Sequence, residues 1–134
     1  MAEKLSANAA ALLLEPNIVH LATLMADGSP QVTPVWVDYD GTHILVNTAL
    51  GRVKARNLER DERVALSVTD RNSASRTVSV RGRVVEITEE GALDHINKLA
   101  KKYRGTDHYS GPVTERRIIV RIEPVRVLER GLDR

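Results

Sequence analysis

Two Asp-Gly pairs, Asp27-Gly28 and Asp40-Gly41, cut the first third of the chain into short β-rich runs. Asp-Gly supplies the positive φ that a tight hairpin needs, so the runs on either side are expected to pair antiparallel. The runs are "IVHLATLM" (18–25), "QVTPVWVDY" (31–39) and "HILVNT" (43–48). Pro34 lies inside the second; it cannot donate to a ladder, so that strand is open on one side there, or bulged. With 134 residues the chain is long enough for one compact domain and hardly for two.

The rest reads in the same way. "SANAAALLL" (6–14) is a short helix that Ser6 or Asn8 can cap, with Pro16 beyond its end. A helix over 52–60 follows the third strand, and then a strand over 63–70 and a polar loop over 71–75. The run 76–87 alternates at Val78, Val80, Gly82 and Val84, as a half-buried strand does, and Gly82 marks a bend or a close backbone approach. Thr88 caps a helix over 89–103 with an apolar stripe of Leu93, Ile96, Leu99 and Ala100. A loop spans 104–115, and a last strand, interrupted at Pro124, spans 116–130. The pattern therefore predicts an α+β fold in which six antiparallel strands close into a small barrel that hides its edges.

Composition limits the chemistry. There is no Phe and only 3% aromatic residues, so a core must be built of branched aliphatics, which favour sheet. There is no cysteine, which removes disulfides, thiolate nucleophiles and zinc-thiolate sites and makes a cytoplasmic location the default expectation. The apolar run 9–14 is too short for a secretion signal or a membrane span. A net charge of +2 gives no general attraction to nucleic acid, so any electrostatic function must be local.

One such locality stands out. In "NTALGRVKARNLERDERVAL" (47–66), Arg52, Lys54, Arg56 and Arg60 fall in the first turns of a helix, whose N-terminus already carries partial positive charge. Arg52, Arg56 and Arg60 share one face, Val53 and Asn57 lie beside them, and Lys54 and Leu58 point elsewhere. Arg52 and Lys54 flank free backbone N–H groups, and Gly51 keeps that backbone approachable, which suits a phosphate. The competing reading is a solvated surface whose cations pair with Glu59, Asp61 and Glu62. Those acids lie at the C-terminal end, however, the reverse of what the helix dipole favours, and an anion at the N-terminus resolves the conflict.

The segments "LATLMADGSPQVTPVWVDYDG" (21–41) and "NTALGRVKARNLERDERVALSV" (47–68) resemble the pyridoxamine-phosphate-oxidase-like split-barrel flavoproteins. Within them they are most similar to the flavin/deazaflavin oxidoreductases of group B, many of which use coenzyme F420. The resemblance implies a six-stranded split barrel and a homodimer with two cofactor sites at the interface. It implies that the cofactor phosphate is held at Arg52 and Lys54 with Asn57 nearby, and that the ring system lies along Thr33, Pro34, Val35 and Trp36 and along Asn47 and Thr48. Arg56 is placed to reach an anionic tail. FMN is the alternative cofactor, because the hairpin motif is shared by FMN and deazaflavin binders. The C-terminal basic segment of vitamin B6 oxidases and the His-bearing segments of the haem-degrading branch have no counterpart here.

A deazaflavin gives a hydride to an activated double bond, so the implied activity is an F420-dependent reductase of an unsaturated small molecule. The alternatives are an FMN-dependent oxidase or reductase and a non-catalytic deazaflavin carrier. The proton donor is unassigned; His108 and Tyr109 in the 104–115 loop are candidates. His20, His43 and His95 read as packed or surface residues, and no His or carboxylate pair has metal-ligand spacing. Trp36 reads as a pocket wall or interface residue. Nucleic-acid binding through the basic helix lacks the exposed aromatics that base stacking needs.

Overall fold

The computed structural model describes residues 2–112 and 114–132. Three helices and seven strands follow one another as α1 (Ala7–Leu14), β1 (Val19–Leu24), β2 (Pro30–Val35), β3 (Val37–Tyr39), β4 (Ile44–Ala49), α2 (Val53–Arg60), β5 (Arg63–Asp70), β6 (Ser73–Thr88), α3 (Ala92–Arg104) and β7 (Arg117–Arg130). The strands form one antiparallel sheet in the order β2-β1-β5-β6-β7-β4-β3.

The expected six strands are thus seven, and the difference has one cause. The run 31–39 breaks at Trp36: β2 pairs with β1, and β3 pairs with β4. These are the two edges of the sheet, yet one residue joins them. The sheet must curl until its edges meet at Trp36, which gives the split barrel. The β2 edge keeps only β1 as a neighbour, so its other side has no ladder partner.

Alternation puts Val19, Leu21, Val64, Leu66, Val68, Val78 and Val80 inside, where they join Ile118, Val120 and Ile122 of β7. α1 adds Ala9, Leu12 and Leu13 to this core, and α2 adds Ala55 and Leu58. Each fully buried Leu contributes roughly 1.5–3 kcal/mol. α3 packs outside the barrel, where Ala92 meets Leu45 and Ile119.

β6 and β7 are long and bent. Arg81 faces Arg126 but Gly82 faces Pro124, so Val125 is bulged out and Pro124 is tolerated in the strand. A Cβ on Gly82 would lie 2.6 Å from Ile122 Cγ2, so the expected close approach is real. Two local expectations shift. The polar loop at 71–75 shrinks, because β6 already starts at Ser73. α3 starts at Ala92 rather than at 89; its N-cap is Gly91, with φ 75°, while the Thr88 hydroxyl accepts from Glu90 N at 3.1 Å and forms a turn ahead of the helix.

Candidate functional site

α2 begins where β4 ends. Gly51 turns the chain with φ 91°, and Arg52 stands at the N-cap with no side-chain hydrogen bond to the helix. No acid lies in its first turn. The proposed local pairing does not form: Asp61 is bound by Arg63 at 2.8 Å, and Glu62 lies 3.7 Å from Arg83. Arg60 donates instead to Leu24 O and to Asn57 Oδ1. Among the described residues, no cation of α2 pairs with an acid of α2.

Arg52 reaches across to the segment before β7. It forks the Glu115 carboxylate with contacts of 2.9–3.1 Å. Glu115 also lies 3.6 Å from Arg117 Nη1. Arg117 opens β7 opposite Ala49, next to the Gly51 turn, and is only 6% exposed. Its Nη1 is buried without a hydrogen-bond partner. Lys54 completes the cluster. It is half-buried with no acid paired to it among the described residues, and burial, then Arg52, then Arg117 push its ammonium pKa down. Arg52 and Arg117 therefore share one carboxylate of the chain itself, and Lys54 lies beside them without one among the described residues.

Aromatic residues adjoin these cations. The Tyr109 ring lies under the Arg117 guanidinium at 5.0 Å and meets Trp36 edge-on at 6.2 Å. Trp36 stacks on Tyr103 at 5.4 Å with only 6° between the planes, and Arg104 covers it at 5.1 Å. Asn97 Oδ1 accepts from Tyr109 N at 2.9 Å and ties the loop to α3. Tyr103 Oη donates to Asn17 O and accepts from Val37 N, which fixes the chain just past the strand break. In a chain with so few aromatics, three sit together beside three cations.

The expected site residues divide. Trp36, Arg52 and Lys54 come together through Tyr109 and Arg117, and Thr33, Pro34 and Val35 lie on the strand that leads to Trp36. Thr48 Oγ1 is buried without a partner. Arg56 folds back onto Gly51 O at 2.9 Å. The two asparagines are committed inside the fold. Asn57 Nδ2 donates to Thr23 Oγ1 at 3.0 Å, and Asn47 bonds Ala92 O, His95 and Arg117. Of the two loop candidates, Tyr109 joins the cluster and His108 is exposed. Sequence reasoning missed Arg117; the only signal was a double arginine opening an apolar strand.

The outer face of the sheet is also shaped. Small side chains, Ala22 and Ala65, leave a groove of about 640 Å³ that includes Pro30, Gly82 and Val125. An adjoining groove of about 610 Å³ runs past Val32 and Leu128, which are 62% and 59% exposed. Among the described residues no helix is long and apolar enough to cross a membrane, and no group of three or more metal-ligating side chains assembles.

The curled antiparallel sheet, broken at Trp36, has the fold of the pyridoxamine-phosphate-oxidase-like split barrels. The chain belongs to the pyridoxamine 5'-phosphate oxidase family, whose model matches residues 5–131. It is 34% identical over 128 residues to an F420H(2)-dependent biliverdin reductase of Mycobacterium tuberculosis, an alignment covering 93% of this chain and 88% of that protein. Among solved structures it resembles an F420 reductase with TM-score 0.76 and 32% identity, over 88% of this chain and 94% of the other. A conserved hypothetical protein of Mycobacterium tuberculosis matches with TM-score 0.74 and 27% identity, over 96% of this chain and 86% of the other.

Proposed function

We propose that the protein is an F420-dependent reductase, transferring a hydride from the reduced deazaflavin to an unsaturated small-molecule acceptor. The observation that carries this is the cluster of Arg52, Lys54 and Arg117 at the uncapped start of α2. Like charges gathered in a half-buried place require a counter-ion, and a phosphodiester meets both the cations and the free amides of the helix. The names of the relatives at 34% and 32% identity favour a deazaflavin over FMN.

When bound, the reduced deazaflavin supplies the hydride; the chain supplies position, dryness and charge. Arg52, Lys54 and Arg117 hold the phosphate. The unpaired edge of β2 from Thr33 to Val35 offers backbone groups to a ring, and Trp36 walls it. Asn47 and Asn57 act from behind, holding Arg117 and Arg60. Tyr109 is the side chain placed to hold a proton at its hydroxyl. The apolar grooves over Ala22 and Ala65 support a homodimer in which this face is covered by a second copy, bringing further groups to the ring.

Titrating the apo-protein with coenzyme F420 and separately with FMN, followed by fluorescence, tests the reading. Micromolar or tighter F420 binding with much weaker FMN binding is expected. Preference for FMN would move the protein to the flavin oxidases. Tight F420 binding with no turnover across a panel of enones, lactones and tetrapyrroles would make it a carrier.

A further inference from the structure

Behind the cation cluster runs a chain of buried polar groups whose hydrogens can be assigned. Arg117 Nε meets Asn47 at 2.9 Å. Guanidinium only donates, so the asparagine atom there is the oxygen. Asn47 Nδ2 therefore faces Ala92 O at 2.9 Å and His95 Nδ1 at 3.1 Å, and it donates to both. His95 Nδ1 must then be bare, and the ring proton sits on Nε2, 3.7 Å from Asp38 Oδ2. Asp38 is fixed in turn by Lys98 at 3.0 Å and by Tyr39 N at 2.9 Å. Asp38, Asn47, His95 and Arg117 are each less than a tenth exposed.

We propose that Arg117 is an anion-binding residue of the site and that the Asp38–His95–Asn47 chain holds it there only while His95 is neutral. This rests on the reading that the Arg52–Lys54–Arg117 cluster takes an anion. A second proton on His95 has to go on Nδ1, where it opposes the Asn47 N–H. Relief comes from turning the Asn47 amide over. That places Nδ2 against Arg117 Nε, donor against donor, and sets the amide oxygen against Ala92 O. Arg117 then loses its hydrogen bond to Asn47 and keeps only the Glu115 contact at 3.6 Å and the Tyr109 ring to set its direction beside Arg52 and Lys54.

The charged and titratable groups around His95 are Asp38 from β3, Lys98, Lys102 and Tyr103 from α3, and, beyond Asn47 of β4, Arg117 from β7 with its Glu115. Coulomb's law alone says that a positive His95 draws an anion more strongly. The hydrogen-bond chain says the opposite, which makes the sign of the pH effect diagnostic.

The probe is sulfate, which stays a dianion throughout, with affinity measured by calorimetry on the full chain between about pH 7.5 and 5.5, where carboxylates stay ionised. Wild type should lose about tenfold in sulfate affinity across that range, the size expected for one charged hydrogen bond. His95→Asn places an amide oxygen where Nδ1 lies; its affinity should match wild type at neutral pH and stay flat. His95→Leu should bind weakly at every pH, and Arg117→Gln likewise, with thermal melting confirming that each variant is folded. Wild-type affinity that is flat or rises toward acid, a pH-dependent His95→Asn, or an Arg117→Gln that still binds sulfate would overturn the proposal. F420 titrated in parallel separates the two readings. Micromolar F420 binding without this sulfate behaviour sinks only the chain, whereas the sulfate behaviour without F420 binding sinks only the deazaflavin assignment.

Discussion

α1 and α2 are both eight residues long, and they are built on opposite terms. In α1 the Ser6 hydroxyl accepts from Ala9 N at 3.1 Å, and Ala9, Leu12 and Leu13 are buried. Its cap and its apolar face both agree with the fold. α2 also buries Ala55 and Leu58, but its N-cap is an arginine that makes no side-chain hydrogen bond to the helix and reaches out to Glu115 instead. The comparison shows where stability and function part. On the proposed reading, a helix start that lacks a side-chain cap while the helix is docked by the same kind of apolar contacts is held open for a ligand.

The largest expected effect lies on the stable side of the comparison. Leu12→Ala should cost about 2–5 kcal/mol in chemical denaturation, because Leu12 is 1% exposed in the shared core. A loss below 1 kcal/mol would mean that α1 is not the structural partner described. Next is Asp38→Asn, which removes a carboxylate held by Lys98, with His95 beside it. It should cost about 1–2 kcal/mol at neutral pH, reduced by the exposure of Lys98.

That second loss has a pH signature. His95, and then Lys98 against the cost of burial, hold the Asp38 carboxyl well below the usual carboxylate range. A folded-state pKa below the unfolded one gives stability that is present above the unfolded value, about 3.9, and lost as pH falls through the folded value. Wild type and Asp38→Asn should therefore converge in stability as acid is added; a constant gap would contradict the ion-pair account.

The two caps give the smaller effects, of opposite sign. Ser6→Ala should cost about 1 kcal/mol. Arg52→Ser installs in α2 the cap that α1 already has and should raise stability by a few tenths to about 1 kcal/mol, since the exposed Arg52–Glu115 pair it removes is weak. If Arg52→Ser destabilises by as much as Ser6→Ala, the arginine is structural and the contrast between the helices fails.

The same contrast explains what the sequence revealed. The hairpin turns, the Ser6 cap and the misplaced cations of α2 are local departures from or agreements with short-range rules, and all were legible. The strand break at Trp36 was not. Apart from Pro34 the run 31–39 reads as one strand with nothing to mark a break at Trp36, and only closure of the sheet tells one half to pair with β1 and the other with β4. Arg117 was hidden for the same reason, since its partners Asn47 and Tyr109 reach it from other elements. Asn47 and Asn57 show the converse. Both were expected near the cofactor, and the internal partners of their amides come from elements distant in sequence.

The central claim is that the start of α2 gives up local stability to hold an anionic cofactor. Thermal unfolding of wild type and of the Arg52→Ala/Lys54→Ala double variant, each with and without saturating coenzyme F420, tests it most directly. The account predicts an apo variant at least as stable as wild type, with the ligand-induced rise in Tm present in wild type and gone in the variant. A variant that melts well below wild type without ligand, yet keeps the rise with it, would contradict the account.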